Sequence, residues 1–373
     1  MVVGVFLDSP RRPPLEMVRG WRDFGRVTAA AARHGIRVTI VQSAWEDGRT
    51  EIDGVPCHFV REASPFISVP RVGTIRRLPK RLFAQVQRFA PDVIHYEGLI
   101  HPRLAHALAR RFPSTPMVAQ DHGSKAPRGW RRHLWRWGFS GLDAVTFTAR
   151  EQADPYHAAG ILSPALPVYP VVEGSTPFTP GDQAAARATT GMDGDPCLLW
   201  VGNLDPNKDP LTVLEALARA PLPKARLHMF YRHAPLLSEV RDRIARLGLA
   251  DRVVLRGGIG YPAIQECFRA ADILVQASHD EGSGYGIIEA LACGTPPLVT
   301  DIPSFRRITG DGAFGALVPV GDSAAMAAAL RDWSPKERVE LRRRARAHFE
   351  RALSFDAIGG QLAQAYRSVR GSA

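Results

Sequence analysis

Glu281-Gly282-Ser283-Gly284-Tyr285-Gly286-Ile287-Ile288-Glu289-Ala290-Leu291-Ala292-Cys293-Gly294-Thr295-Pro296 is the stretch whose reading decides the fold. Ahead of it, Ile273-Leu274-Val275 predicts a strand and Ser278-His279-Asp280 a polar turn. Gly282, Gly284 and Gly286 then lead into a helix-forming run from Ile287 to Ala292, which Gly294 and Pro296 stop. Glycines at such a turn admit a ligand close to the backbone, and the N–H groups of a helix start favour an anion, typically phosphate. Carboxylates bracket the turn. Read as helix throughout, Glu281 and Glu289 stand roughly 12 Å apart, and an extended loop opens the gap further. The acid and base of a glycosidase lie about 5–9.5 Å apart. The two glutamates therefore read as holders of different parts of one long ligand. A carboxylate at each end with phosphate between fits a sugar nucleotide. The plainer alternative is a buried strand-turn-helix unit with two solvated glutamates.

Glutamate, seven residues, glutamate, then Ala290-Leu291-Ala292-Cys293-Gly294-Thr295-Pro296 resembles the retaining GT-B glycosyltransferases, specifically the large group 4 family. The resemblance implies an α/β protein of GT-B type: two Rossmann-like, doubly wound domains facing a cleft, with a C-terminal helix crossing back to the first domain. It implies a retaining, hexosyltransferase-like enzyme. The donor is a nucleotide-diphosphate sugar of UDP or GDP type, and the acceptor a glycan or a lipid-linked molecule. No cofactor is expected beyond the nucleotide sugar as co-substrate. No metal is expected either, since the chain lacks an Asp-x-Asp cation site at a strand end.

Working outward, 373 residues suit two domains, each able to bury its own core. Apolar runs fall short of the ~20 residues of a membrane span. Val2 to Leu7 reads as a first strand rather than a signal peptide, lacking a basic start. Cys57, Cys197, Cys267 and Cys293 show no metal spacing and read as reduced core residues of a cytoplasmic protein. Charge is uneven. Residues 1–160 hold 24 Lys and Arg against 14 Asp and Glu, and the remainder 24 against 23, so nearly all of the net +11 lies in the first half. Such a field suits an anionic surface or substrate.

The first half predicts strands at Val2–Leu7, Ile36–Val41, Val55–Val60, Val93–His95, Met117–Gln120 and Ala144–Thr148. Helices are expected over Trp21–Arg33 and near Pro79–Phe89 and Arg103–Arg111. The second half repeats the alternation, with strands at Cys197–Gly202, Arg226–Phe230, Arg252–Leu255, Ile273–Gln276, Pro297–Thr300 and Ala316–Val318. Strands alternating with helices argue for parallel sheets with ligands at their carboxyl ends. A proline-rich loop, Ser163 to Gly181, separates the halves. The expected domains are residues 1–172 on the acceptor side, 173–350 on the donor side, and a returning helix within 351–373 whose apolar face carries Ile358, Leu362, Ala365 and Tyr366.

Trp200-Val201-Gly202-Asn203-Leu204-Asp205-Pro206-Asn207-Lys208-Asp209 resembles the family's Gly-Arg-Leu-x-x-x-Lys-Gly. Lys208 matches the lysine that holds the donor diphosphate, and Asn203 stands where the family usually has arginine. The resemblance gives Glu289 to the ribose hydroxyls, Glu281 to the donor sugar, and the amides of Gly284, Tyr285, Gly286 and Ile287 to the phosphates. Gly202 lies at the strand end, and Arg256 in the stretch whose backbone reads the base. His122, ending Val118-Ala119-Gln120-Asp121, matches the histidine beside the donor sugar; Asp121 is expected to orient it. His95 and Glu97 end the preceding strand and are expected to line the same cleft. Arg19-Gly20 is the nearest candidate for the family's glycine pair after the first strand. Transfer is thus assigned to Glu281, His122 and Lys208.

Arg128-Gly129-Trp130-Arg131-Arg132-His133-Leu134-Trp135-Arg136-Trp137 interleaves aromatics with arginines. With Arg76-Arg77 and Lys80-Arg81 it reads as a cationic face for an anionic membrane, on which Arg131, Arg132, Trp135 and Arg136 would bear, making the protein peripheral to the membrane. A core helix with inward tryptophans and outward arginines fits the same pattern. No nucleic-acid-binding motif accompanies it. Two other classes stay open: an epimerase or phosphorylase on the same fold, and a nucleotide-sugar-binding protein without turnover, favoured by the neutral Asn203.

Overall fold

Short aliphatic runs separated by helical segments build two parallel sheets. A computed structural model describes residues 1–6, 13, 14, 16, 18, 25–62, 78–261, 263–333 and 335–371. The chain divides into two compact units, Met1–Gly174 with Phe355–Ala373, and Ser175–Ser354. Arg19-Gly20, Arg76 and Arg77 lie outside the described residues, as do residues 21–24 at the start of the first expected helix.

In the first unit the strands are β1 Val2–Phe6, β2 Val38–Ala44, β3 Gly48–Ile52, β4 Val55–Arg61, β5 Val93–Glu97, β6 Met117–Gln120, β7 Ala144–Phe147 and β8 Val168–Pro170. Their spatial order is β3-β4-β2-β1-β5-β6-β7-β8, and all neighbours are parallel except β3 with β4. The order reverses between β1 and β5, and such switch points are where doubly wound sheets bind ligands. Strands β3 and β8 escaped the sequence reading. The signal for β3 was present: Asp53-Gly54, both at positive φ, is a hairpin turn between alternating residues. The first helix is described at Arg26–Ala30, followed by a tighter turn at Ala31–His34 that ends on left-handed Gly35.

In the second unit the strands are β9 Cys197–Val201, β10 Arg226–Phe230, β11 Val253–Gly257, β12 Ile273–Gln276, β13 Pro297–Thr300 and β14 Ala316–Val318. The order β11-β10-β9-β12-β13-β14 switches between β9 and β12. The helix Tyr285–Cys293 begins two residues before the expected run and is capped by left-handed Gly294.

The C-terminal helix, Phe355–Gly371, joins the first unit and packs on the 26–34 segment. It buries Ile358, Leu362, Ala365 and Tyr366, the apolar face expected for it. Gly359 touches Ala30: a Cβ there would stand 2.5 Å from the Ala30 backbone, so only glycine lets the helices approach this closely. All four cysteines are buried and free, and burial pushes each thiol up to about 12, as befits core residues rather than nucleophiles.

Candidate active site

The second unit gathers one set of groups at the carboxyl ends of β9 and β12. The Gln276 amide donates to the Val201 carbonyl at 2.7 Å, tying the two strand ends together. The loops beyond are joined as well: Asn207 donates to the Asp280 carbonyl at 2.9 Å and accepts from the His279 N–H at 2.8 Å. This staple brings Lys208 to Glu281, and the ammonium pairs with the carboxylate. Gly202 and Asn203 sit half-buried in the same loop. Glu289 lies one helical turn beyond the start of Tyr285–Cys293 and is 5% exposed. Tyr285, Gly286 and Ile287 form the first turn of that helix, in which the Ile287 N–H turns back onto the Gly284 carbonyl at 2.9 Å.

The glycines need a second explanation. Gly284 has φ +62, and a Cβ there would meet the Phe305 ring at 2.8 Å; one at Gly286 would meet Gln276 Nε2 at 2.9 Å. Backbone and packing therefore demand glycine at Gly284, so the ligand's approach is not the sole reason for it, while a side chain at Gly286 would push the Gln276 amide off Val201. Arg256 is engaged elsewhere. Its guanidinium bonds the Gly191 carbonyl at 2.8 Å and His228 Nδ1 at 3.1 Å, toward the segment that precedes β9 and away from the carboxyl ends.

The first unit gathers a second set. Glu97 ends β5, His122 follows β6, and Glu173 follows β8. His122 Nε2 bonds Glu97, and its Nδ1 lies 3.0 Å from Glu173, so both ring nitrogens face carboxylates while the side chain is 39% exposed. Burial opposes charge on this ring, but Glu97 and Glu173 outweigh it and raise the His122 pKa well above the usual histidine range. Burial would likewise raise Glu97, yet His95 and His122 hold its carboxyl well below the usual range. His122 thus sits between two carboxylates, which favour its charged form.

Two expectations need correction here. Asp121 does not orient His122: its carboxylate accepts from the Gly123 N–H at 2.8 Å and the Ser124 N–H at 3.2 Å, closing the turn. Burial also raises its pKa. The orienting groups are Glu97 and Glu173, and Glu173 had no motif to mark it. His95 does not line an open surface. It is fully buried, with Nε2 3.0 Å from Glu97, and so stands behind the carboxylate.

The tryptophan-arginine segment folds as the helix Arg131–Phe139. Trp135 is a core residue, 4% exposed, stacked on Tyr156 and edge-on to Phe139, and takes no part in a surface. Gly138 presses on Pro102, which orients the helix with that side inward. Arg131 is half-buried, whereas Arg132 and Arg136 are exposed. Trp130 and Trp137, 64% and 45% exposed, are the outward indoles. Among the described residues no helix is long and apolar enough to cross a membrane.

Comparison with known proteins bears on both sets. Residues 25–167 match the family model Glycosyltransferase Family 4, and residues 182–349 match Glycosyl transferases group 1. A D-inositol 3-phosphate glycosyltransferase of Geodermatophilus obscurus is 37% identical over 165 residues, covering 41% of this chain and 37% of that protein. Its counterpart in Thermobispora bispora is 31% identical over 243 residues, covering 60% and 55%. The matches span about half, or less, of the length of these relatives. Among solved structures, sucrose-phosphate synthase from Thermosynechococcus elongatus superposes with a TM-score of 0.71 at 18% identity, covering 100% of both chains. Anabaena HepE in complex with UDP and glucose gives 0.66 at 18% identity, covering 99% of this chain and 100% of that one. At such identities the likeness is one of fold, and the fold is GT-B.

Proposed function

Since the chain belongs to the group 1 and family 4 glycosyltransferases, we propose that it transfers a sugar, with retention of configuration, from a nucleoside-diphosphate donor to a glycan or lipid-linked acceptor. The observation that carries this reading is the Lys208–Glu281 pair beside the start of the helix Tyr285–Cys293. A diphosphate entering there exchanges the glutamate for its own oxygens on Lys208 and meets the helix-start amides. Glu281 is released toward the sugar, and Glu289 is placed for the ribose diol. HepE holds UDP on the same fold, which favours a uridine donor.

In the transfer, the bond from the anomeric carbon to the diphosphate breaks. A bond to the acceptor oxygen forms on the same face, and the acceptor proton passes to the departing phosphate. Lys208 and the helix-start amides stabilise the charge that builds on the leaving group. In the first unit Glu97 and Glu173 flank His122, the residue that the family resemblance gives to the donor sugar. The test is product analysis with UDP-sugars, with and without a glycan acceptor. A new glycoside only when acceptor is present supports transfer; isomerised donor alone points to an epimerase. Donor binding without any product points to the binding protein that Asn203 favours.

Asn203 bears no charge, so Lys208 is the cation this loop offers the diphosphate. Charged hydrogen bonds contribute roughly 1.5–3 kcal/mol. Lys208→Ala is expected to weaken nucleoside-diphosphate binding about tenfold or more in calorimetric titration, and Asn203→Arg to leave it unchanged or tighter. Unchanged affinity in Lys208→Ala removes the lysine from the site.

A peripheral membrane location rests on the exposed indoles Trp130 and Trp137 beside Arg132 and Arg136. Basic residues near an anionic bilayer contribute about 1 kcal/mol each, and indoles insert at headgroup depth. Sedimentation with anionic vesicles is expected, weakened by salt and by Arg132→Ser with Arg136→Ser, and insensitive to Trp135, whose ring is internal. Protein left in the supernatant at low salt ends that reading and favours a soluble acidic glycan as acceptor.

A further inference from the structure

We propose that Tyr366, on the C-terminal helix, is a positioning residue for the His122 cluster, acting through His95 on Glu97. The inference rests on the transferase reading above and adds a residue from a part of the chain that carries no motif of that family.

Tyr366 is 1% exposed, and its hydroxyl lies 2.8 Å from His95 Nδ1. The two rings meet edge to face with centroids 5.7 Å apart. The other ring nitrogen of His95 is 3.0 Å from Glu97 Oε1. A carboxylate accepts only, so Nε2 carries the hydrogen and Nδ1 receives the phenol's. Burial, followed by the Glu97 charge, raises the Tyr366 pKa well above its usual value and keeps the phenol a donor. Thr28 donates to the same Glu97 oxygen at 2.9 Å, and His122 bonds the other. Glu97 is thus gripped from three sides, and Tyr366 is the outermost link of the longest arm.

The phenol does two things to the arm. A half-turn of the imidazole would put carbon where nitrogen meets the hydroxyl, so the bond holds the ring in the orientation that points Nε2 at Glu97. Donation to Nδ1 also polarises the ring and strengthens Nε2–H as a donor, since linked hydrogen bonds reinforce one another. Without it, Glu97 is less well satisfied and more basic. The titratable groups around Glu97 among the described residues are His95, His122 and Tyr366, with Glu173 on the far side of His122.

Tyr366→Phe keeps the ring and removes only the hydroxyl. It is expected to lower kcat about five- to tenfold, the loss of one buried hydrogen bond, with the donor KM unchanged. The acid limb of the kcat profile should move to higher pH, because a more basic Glu97 protonates sooner. In a His95→Phe background the same change should cost nothing further, since a residue acting through His95 has no route once it is gone. Histidine-selective ¹⁵N spectra read the cluster without turnover: the His95 ring signals and the His122 titration midpoint should both move in Tyr366→Phe. If transfer itself is absent, the spectra still decide. Unmoved His95 and His122 signals overturn the proposal, as does a rise in KM at constant kcat, or an effect that persists in the His95→Phe background.

Discussion

Glu281→Ala is expected to lower the rate of sugar transfer about a hundredfold or more while leaving nucleoside-diphosphate affinity equal to or tighter than that of the unaltered protein. The asymmetry follows from the pairing of Glu281 with Lys208. In the free protein that glutamate competes with the diphosphate for the ammonium, so its removal releases the lysine. In the proposed reaction the sugar loses the carboxylate assigned to it, and an interaction made in the transition state shows up in kcat. Glu289→Ala should behave in the opposite sense. Its carboxylate is buried on the helix that follows the turn and is the one proposed for the ribose, so nucleotide affinity should fall before the rate at saturation does. Calorimetric titration with UDP, run beside turnover at saturating donor, separates the two. Equal affinity losses in both variants would sink the division of labour between the glutamates.

Glu97→Ala is expected to cost both stability and turnover. The carboxylate is 9% exposed on its side chain and accepts from His95, Thr28 and His122. Removing one partner of a buried ion pair costs about 3 kcal/mol, which for a unit of this size lowers the melting temperature roughly 6–12 °C. Turnover should drop about a hundredfold, because His122 is then oriented by Glu173 alone. The pH dependence carries its own signature. A histidine whose folded pKa is raised contributes stability that is fully present below its unfolded value, about 6.5, and is lost as pH rises through the folded value. The unaltered protein should therefore lose melting temperature on the alkaline side as His122 deprotonates, and His122→Gln should flatten that limb. A Glu97→Ala protein with undiminished melting temperature and kcat at every pH would refute the cluster's role.

Much of this was legible along the chain because it is local. The turn from Ile273 to Pro296 closes within one strand-turn-helix unit, so apolar period, glycine spacing and stop signals place Glu281 and Glu289 beyond the carboxyl end of β12, and the turn after β9 places Lys208 in the same way. His122, one residue past a strand-end aspartate, was marked for the same reason. The Asp53-Gly54 hairpin was equally local, and its strand was missed only because the residues before it are polar and half-exposed.

Other features had no local signature. Arginines and tryptophans along 128–137 satisfy a surface helix and a core helix equally, since the period of 3.6 shows which residues share a face but not which face is covered. The covering partners, Tyr156 and Pro102, come from elsewhere in the chain and turn Trp135 inward. His122 is neighbour to Asp121 in sequence, yet its carboxylates are Glu97 and Glu173, brought in by the order of strands. Tyr366 is the furthest case. Its apolar spacing marked it as core, and only the return of the final helix sets its hydroxyl on His95, 271 positions away. Sequence alone determined most of the strands, turns and helix starts, because those depend on neighbours a few residues apart. Tertiary structure decided which side chain each charged group answers to, because a hydrogen bond needs its atoms within about 3 Å, and only the folded sheet brings distant residues that close.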